Sequence, residues 1–364
     1  MKKILLCATL FISVCCDAQD IGKIADSIRI WRRIPAITYA VFSADSVYEI
    51  GAVGYKRLRT KDTVSLNNRY HLGTATASFT CYIAARLVDQ GKLKWNTTLL
   101  QVFPELRKSA NPAYHNITLA DLLSHRTGFP VFNNYLQLSK FPGYQGSPTE
   151  KRRLTLEWLV QQKQVYKDSA DKGSFLFSNV NTMAAAAMLE KVSRKPWEEL
   201  IADLVNKPLG ISVKIGLPNR LDVNQPWGHW VEGGRFNPMG PTHWFGLNPS
   251  LAPAADANLT VTDYVKFVQD HLKGLNGKKA LLPARSYELM HYGFPIYSMG
   301  WSNIPVDNYH ISEADGTMGT FYSHVEIIKE KNIAVIVMAN SGDNMAKGGV
   351  LNLAKMIRQM YVTL

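Results

Sequence analysis

Residues 70–93, reading YHLGTATASFTCYIAARLVDQGKL, constrain the fold more than any other stretch of the chain. An extended apolar segment turns at Gly73-Thr74 and becomes a helix. Phe79, Ile83, Leu87 and Val88 recur at helical spacing, so one face of that helix must be buried. Gly91 supplies a left-handed stop at its C-terminus. Thr74 stands where a hydroxyl caps a first turn. It also stands at the mouth of a buried helix among small residues, where a nucleophile can be presented. Capping accounts for the residue fully and is the simpler reading.

The chain has 364 residues and 46% of them are hydrophobic, enough for one large domain or two ordinary ones. Residues 1–18 read as a secretory signal: Lys2-Lys3, an apolar run from 4 to 14, then a cleavage site near Ala18. A lipid anchor at Cys15 or Cys16 ranks second, because the residue before each is not small. No stretch is long enough for a transmembrane segment. These features imply a periplasmic or secreted protein. Cys7, Cys15 and Cys16 lie in the leader, which leaves Cys81 without an internal disulfide partner. The formal charge is +12, with basic clusters at Arg29, Arg32 and Arg33, at 56–61 and at 151–153. They read as solvated surface, and nucleic acid is not an expected partner of an exported chain.

Along the chain, 21–33 reads as an amphipathic helix and 37–43 with 46–52 as a hairpin. Thr118 caps a short helix with Asp121 three residues on. Residues 131–150 read as loop, and helices follow at 154–163, 184–192, 197–205, 260–272 and 282–290. Strand patterns return at 297–302, 320–329 and 333–339, before a helix at 344–360. The pattern predicts an α/β fold in which N- and C-terminal strands share one antiparallel sheet flanked by helices. It divides the chain into a signal peptide at 1–18 and a single domain at 19–364. The α/β lobe takes 19–68 and 292–364, and an inserted, mainly helical lobe takes 69–291. The cleft between the lobes is the expected site.

Eight blocks occur in order: IPAITYAVFSADSVYEIGAVGY, YHLGTATASFTCYIAARLVDQGKL, ITLADLLSHRTGFP, FLFSN, NKPLGI, ANLTVTDYVKFVQDHLKG, YSMGW and IAVIVMANS. Together they resemble the serine β-lactamase and penicillin-binding-protein-like family, in its class C, DD-peptidase and esterase branch. The LLSHRTGFP block is similar to the family's LLTHTSGLP. The resemblance implies three catalytic elements. One is a Ser-x-x-Lys with the lysine one turn from the nucleophile. A Tyr-x-Asn follows, and a Lys-Thr-Gly or His-x-Gly lies on the sheet strand beside the cleft.

The resemblance places the nucleophile position on Thr74 and the lysine position on Ala77. The tyrosine position falls on Phe177, with Asn179 kept. The third element falls on Glu313, with Asp315 and Gly316 at its glycine positions. Every proton-transfer residue is thus replaced, and a hydroxyl without a base is a weak nucleophile at neutral pH. The expectation is a degenerate member of the family that binds a small-molecule or peptidoglycan-like ligand, or a partner, at the cell envelope. A hydrolase or transferase with a site rebuilt around Thr74 is the alternative. The string Ser169-Ala170-Asp171-Lys172 matches Ser-x-x-Lys but does not follow a helix mouth.

His125 reads as a brace for its turn. Glu313 and Asp315 read as loop carboxylates before they read as a cation site. Trp227, His229, Trp230, His243 and Trp244 read as packing at the cleft rim. No cofactor is expected, and Asp307 with His310 fits no metal-ligand spacing. Oligomeric state is left open by the sequence.

Overall fold

A computed structural model describes residues 20–362, apart from 134–136, 138–139, 167–172, 233–234 and 307–308. The leader, the Ser-x-x-Lys string at 169–172 and Asp307 lie outside the described residues.

Helix α1 (Ile21–Trp31) leads into strands β1 (Ala36–Phe42) and β2 (Val47–Gly54). Strand β3 (Arg69–His71) enters a 3-10 turn (Gly73–Thr76) and then helix α2 (Ala77–Asp89). Helices α3 (Leu119–Leu123), α4 (Pro148–Leu159), α5 (Asn179–Ser193) and α6 (Trp197–Ile201) follow. Short strands come next: β4 (Lys214–Ile215), β5 (His229–Glu232), β6 (Arg235–Pro238) and β7 (Ala257–Thr260). Helices α7 (Val261–Leu275) and α8 (Ala284–Tyr292) precede the return to the main sheet. That return runs through β8 (Ile296–Tyr297), β9 (Ser302–Val306), β10 (Tyr309–Thr317), β11 (Tyr322–Ile328) and β12 (Ile333–Ala339). Helix α9 (Asn344–Val362) follows β12.

The main sheet has seven strands in the order β2-β1-β12-β11-β10-β9-β8, with every neighbour antiparallel. First and last segments meet at its centre, where Ile37 faces Ala339 and Val41 faces Val335. Strands β1, β11 and β12 are buried along their whole length; β1 and β12 are largely apolar, as covering both faces requires, whereas β11 also buries Ser323, His324 and Glu326. One face packs Tyr39, Val41 and Val337 against Ala25 and Ile28 of α1 and Leu353 and Ile357 of α9. The other packs Phe42, Val325 and Ile336 against the helical lobe. There Phe79 of α2 stacks on Phe267 of α7 at 4.1 Å, so the apolar stripe on α2 becomes the centre of the larger core.

Several sequence expectations are corrected. Helix α4 starts at Pro148, six residues before the predicted helix, because Ser147 and Glu150 form a reciprocal capping box. Helix α5 starts at Asn179, five residues before the predicted helix. Strands β9 (Ser302–Val306) and β10 (Tyr309–Thr317) extend beyond 302, where the residue pattern suggests no strand; Glu, Asp, Gly and Pro are poor strand formers. Pairing on both sides overrides that preference, with Asp315 opposite His324 and Glu313 opposite both Glu326 and Ser302. Arg152, placed by its neighbours in a solvated basic cluster, is fully buried. It donates to Glu190 at 2.5 Å and 3.1 Å and to Glu198 at 2.9 Å and 3.1 Å, tying α4 to α5 and α6.

The core also holds neutral imidazoles. His271 and His291 share a hydrogen bond of 2.8 Å, and His291 meets the Ser312 hydroxyl at 2.6 Å. Burial pushes the His271 imidazole down to about 3 and holds His291 well below its ordinary value, with His271 and Lys329 adding repulsion at the latter.

Candidate active site

The 3-10 turn Gly73–Thr76 sits under strand β10 at the mouth of α2. Two glycines allow the approach. Gly73 has φ of +54°, and a Cβ there would meet Thr317 backbone atoms at 2.4–2.5 Å. A Cβ on Gly316 would lie 1.8 Å from the Leu72 carbonyl and 2.5 Å from the Ala75 nitrogen. Gly316→Ala therefore separates strand from turn. The expected loss is about 3 kcal/mol or more in chemical denaturation. A loss under about 1 kcal/mol would contradict the close docking described.

Thr74 is half-buried, and its hydroxyl donates to the Asp315 carbonyl at 3.2 Å. It caps nothing, which corrects the sequence reading; no side chain caps the turn or α2. Thr76 is the hydroxyl used locally, donating to the Gly73 carbonyl at 2.6 Å and accepting the Ala257 N–H at 3.0 Å. The C-terminal stop is as expected: Gly91 has φ of +70°, and Lys92 donates back to the Leu87 carbonyl.

Thr74, Ala75, Phe175, Phe177, Tyr297, Gly300, Ser302, Ala314 and Asp315 line a cleft of about 190 Å³. Of the residues named from the sequence, Thr74, Phe177 and Asp315 meet there. Ala77 is only 2% exposed and lies in the first turn of α2, behind the lining. Asn179 is the first residue of α5 and 3% exposed; its Oδ1 has no hydrogen-bond partner among the described residues. Glu313 does not face the cleft. Its strand neighbour Ala314 does, and alternation turns Glu313 to the α9 side of the sheet. Burial raises its carboxyl, with Asp315 and Glu326 adding repulsion against the pull of His324 and Arg358.

Asp315 reaches the cleft through its carbonyl, while its carboxylate turns to His324 Nδ1 at 2.6 Å. Burial works against that carboxylate, yet the His324 imidazolium holds the carboxyl below its usual range. Burial likewise opposes charge on His324, but Asp315 and Glu326 outweigh it and raise the imidazole to about 10. These carboxylates sit in a strand and an ion-pair network, not a solvated loop. Among the described residues, no group of three or more His, Cys, Asp or Glu is placed to hold a metal.

Phe175 of the FLFSN block and Tyr297 and Gly300 of the YSMGW block are cleft residues to which the sequence assigned no role. Gly300 has φ of +82°, and a Cβ there would lie 2.7 Å from Ser78 and 3.1 Å from Cys81. The turn carrying Tyr297 is thus seated directly on α2. Tyr297 stacks on Phe175 at 5.3 Å and meets Phe177 edge-on at 6.1 Å. His125 closes the group, 4.6 Å from Phe177 and 5.0 Å from Tyr297. Burial pushes the His125 imidazole down to about 3, so it is neutral. Its Nδ1 faces the Ser178 N–H and the Asn181 amide at 3.4 Å and 3.3 Å, which makes it the brace expected from the sequence. Arg126 aims its donors at the carbonyls of Ser124, Pro295 and Tyr297.

The cleft is therefore lined by three hydroxyl-bearing residues, Thr74, Ser302 and Tyr297, beside the rings of Phe175 and Phe177. Burial raises the Tyr297 phenol well above its ordinary value, with the Cys81 thiol adding repulsion, so it is a poor base at neutral pH. No titratable side chain hydrogen-bonds the Thr74 hydroxyl among the described residues.

An antiparallel sheet built from both chain ends, docked on the mouth of a buried helix with a helical lobe beside it, defines the β-lactamase/transpeptidase-like fold. The chain belongs to the beta-lactamase family, whose model matches residues 24–357. It is 23% identical over 343 residues to an unguisins hydrolase of Aspergillus campestris, covering 89% of this chain and 61% of that protein. It is 21% identical over 340 residues to penicillin-binding protein 4 of Amycolatopsis lactamdurans, covering 87% of this chain and 84% of that protein. The chain spans less than two-thirds of the length of the two unguisins hydrolases it matches, 61% and 64%.

Among solved structures, the octameric penicillin-binding protein homologue from Pyrococcus abyssi superposes with a TM-score of 0.73 at 19% identity, over 94% of this chain and 77% of that one. The class C beta lactamase from Rhodobacter sphaeroides gives 0.72 at 15% identity, over 93% and 99%. These likenesses bear on the fold. No helix among the described residues is long and apolar enough to cross a membrane.

Proposed function

We propose that this chain is a catalytically degenerate member of the family, exported to the cell envelope, whose cleft binds a ligand without forming an acyl-enzyme. The observation that carries this reading is the Thr74 hydroxyl, which donates to the Asp315 carbonyl and, among the described residues, is hydrogen-bonded by no base. An activated nucleophile needs a group to take its proton. The lysine position is the methyl group of Ala77, and the tyrosine position is the ring of Phe177. The aromatic lining suits an apolar group, such as the side chain of a peptide or of a peptidoglycan-like fragment, more than a carboxylate. Of the matched relatives, one is named an unguisins hydrolase and another a penicillin-binding protein.

The test is an incubation with a fluorescent penicillin and with a chromogenic ester, each followed by intact mass measurement. The expected result is no adduct and no turnover, with peptide or peptidoglycan fragments raising the melting temperature. One observation supports the alternative of a rebuilt hydrolase: Tyr297 lines the same cleft as Thr74. Turnover abolished by both Thr74→Val and Tyr297→Phe would establish that alternative and end the non-catalytic reading. Export is tested separately, by N-terminal sequencing of the protein recovered from cells expressing the full chain; retention of residues 1–18 would contradict it.

A further inference from the structure

A second cavity lies away from the cleft and shares no lining residue with it. It is a groove of about 380 Å³ along the outer side of α7, closed by Pro208 and Leu209 on one side and by 279–281 on the other. Its size falls within the range of pockets that take organic ligands.

The groove is cationic by construction. Lys266 and Lys273 stand on α7 two turns apart, and Lys279 faces them from the following loop. Lys266 is steadied by the Gly210 carbonyl at 3.0 Å. Neither Lys273 nor Lys279 forms an ion pair among the described residues. Asp45, whose carboxylate also feels the Lys273 charge, is already paired with Lys278. The one carboxylate in the groove, Asp270, is 7% exposed. It accepts from the Tyr82 hydroxyl at 2.8 Å, the Tyr287 hydroxyl at 2.5 Å and the Leu281 N–H at 3.0 Å. Its oxygens are thus committed to the core, while Lys266 and Lys279 are exposed and Lys273 is half-buried. Beneath the loop, Arg86 adds a further cation through the Leu281 carbonyl at 2.6 Å.

Charge and spacing select the ligand. Residues seven apart on a helix are separated by about 10 Å along its axis. Flexible lysines at this separation can converge on one phosphate, but with Lys279 across the groove the three cations exceed the charge of a single phosphate, and a chain of anionic groups matches them. Lysine is a strong point-charge partner for phosphate oxygens. The short apolar walls leave room for the linking atoms of such a chain. We propose that this groove binds an extended polyanion carrying successive phosphate groups.

The experiment uses the full chain and isothermal titration with linear polyphosphate, orthophosphate, poly-glutamate and phosphatidylglycerol vesicles. Polyphosphate is expected to bind, to weaken as ionic strength rises, and to outcompete orthophosphate by at least about tenfold. The variant Lys266→Ala/Lys273→Ala/Lys279→Ala should lose about tenfold or more in affinity, the equivalent of one weak ion pair overall. The same lysines changed to Arg should keep it. A control of equal net charge, Lys61→Ala/Lys108→Ala/Lys355→Ala, should bind as the unaltered chain does, and melting temperatures will show that all variants are folded. Equal weakening in the control would overturn the proposal in favour of diffuse attraction. Equally tight poly-glutamate would remove the phosphate assignment, and binding confined to vesicles would replace the polymer by a lipid surface.

Discussion

Arg152→Ala is expected to lower stability by about 3–5 kcal/mol, the cost of leaving a buried carboxylate without its cation. The carboxylate is Glu190, 5% exposed, which also accepts from the Thr149 hydroxyl at 2.9 Å and the Trp197 N–H at 2.8 Å. Those two neutral donors cannot replace a guanidinium. Burial alone would disfavour the Arg152 charge, but Glu190 and Glu198 outweigh it and raise its pKa. Three helices meet at this one side chain, so the loss should appear in a single cooperative urea transition. Changing both partners, Arg152→Met with Glu190→Gln, should recover much of the loss, because no ion is then left buried. A loss under about 1 kcal/mol for Arg152→Ala would show that water reaches Glu190 and that the ion pair is not sealed.

Stability should peak near neutral pH and fall on both sides. Four buried imidazoles are held neutral by burial: His125 at about 3, His229 at about 4, His271 at about 3, and His291 well below 6.5. Each titrates normally once unfolded, so the unfolded chain binds more protons below about 6.5 and acid favours it. The loss is about 2 kcal/mol per imidazole by pH 5, set against about 5–15 kcal/mol for a whole domain. His324 acts in the opposite sense. Its folded value is raised to about 10, so its contribution is complete below 6.5 and is lost as pH rises through 10. Melting temperature is expected to drop by more than about 10 °C between pH 7 and pH 5. A curve flat across that interval would mean that the imidazoles can be protonated in place.

Legibility followed the range of the interactions involved. The hairpin of β1 and β2 and the helix α2 were readable because their apolar periodicity is local and agrees with the packing. Strand β10 was not, because Glu313, Asp315 and Gly316 disfavour strands and are held extended by partners on either side. Arg152 looked like one of three solvated cations, since its partners lie 38 and 46 residues away. The Ser147–Glu150 capping box was within reach of the sequence and marks the true start of α4. Of the positions named through the family's motif spacing, Thr74, Phe177 and Asp315 line the cleft together, whereas Ala77 lies behind the lining. Tyr297 was not among them, because it joins Thr74 only when the chain has returned to the main sheet.

Asp315 is bonded on both sides of the sheet at once: its carbonyl holds Thr74 in the cleft and its carboxylate holds His324 behind it. A guest that takes the Thr74 hydroxyl for itself must alter the peptide unit to which that carboxylate is attached. The ring protons of His324 are therefore a natural listening post for the cleft. Their resonances should move when the cleft is occupied, although His324 itself touches nothing that enters it. A chain expected to give no product can in this way still be followed by a signal of its own.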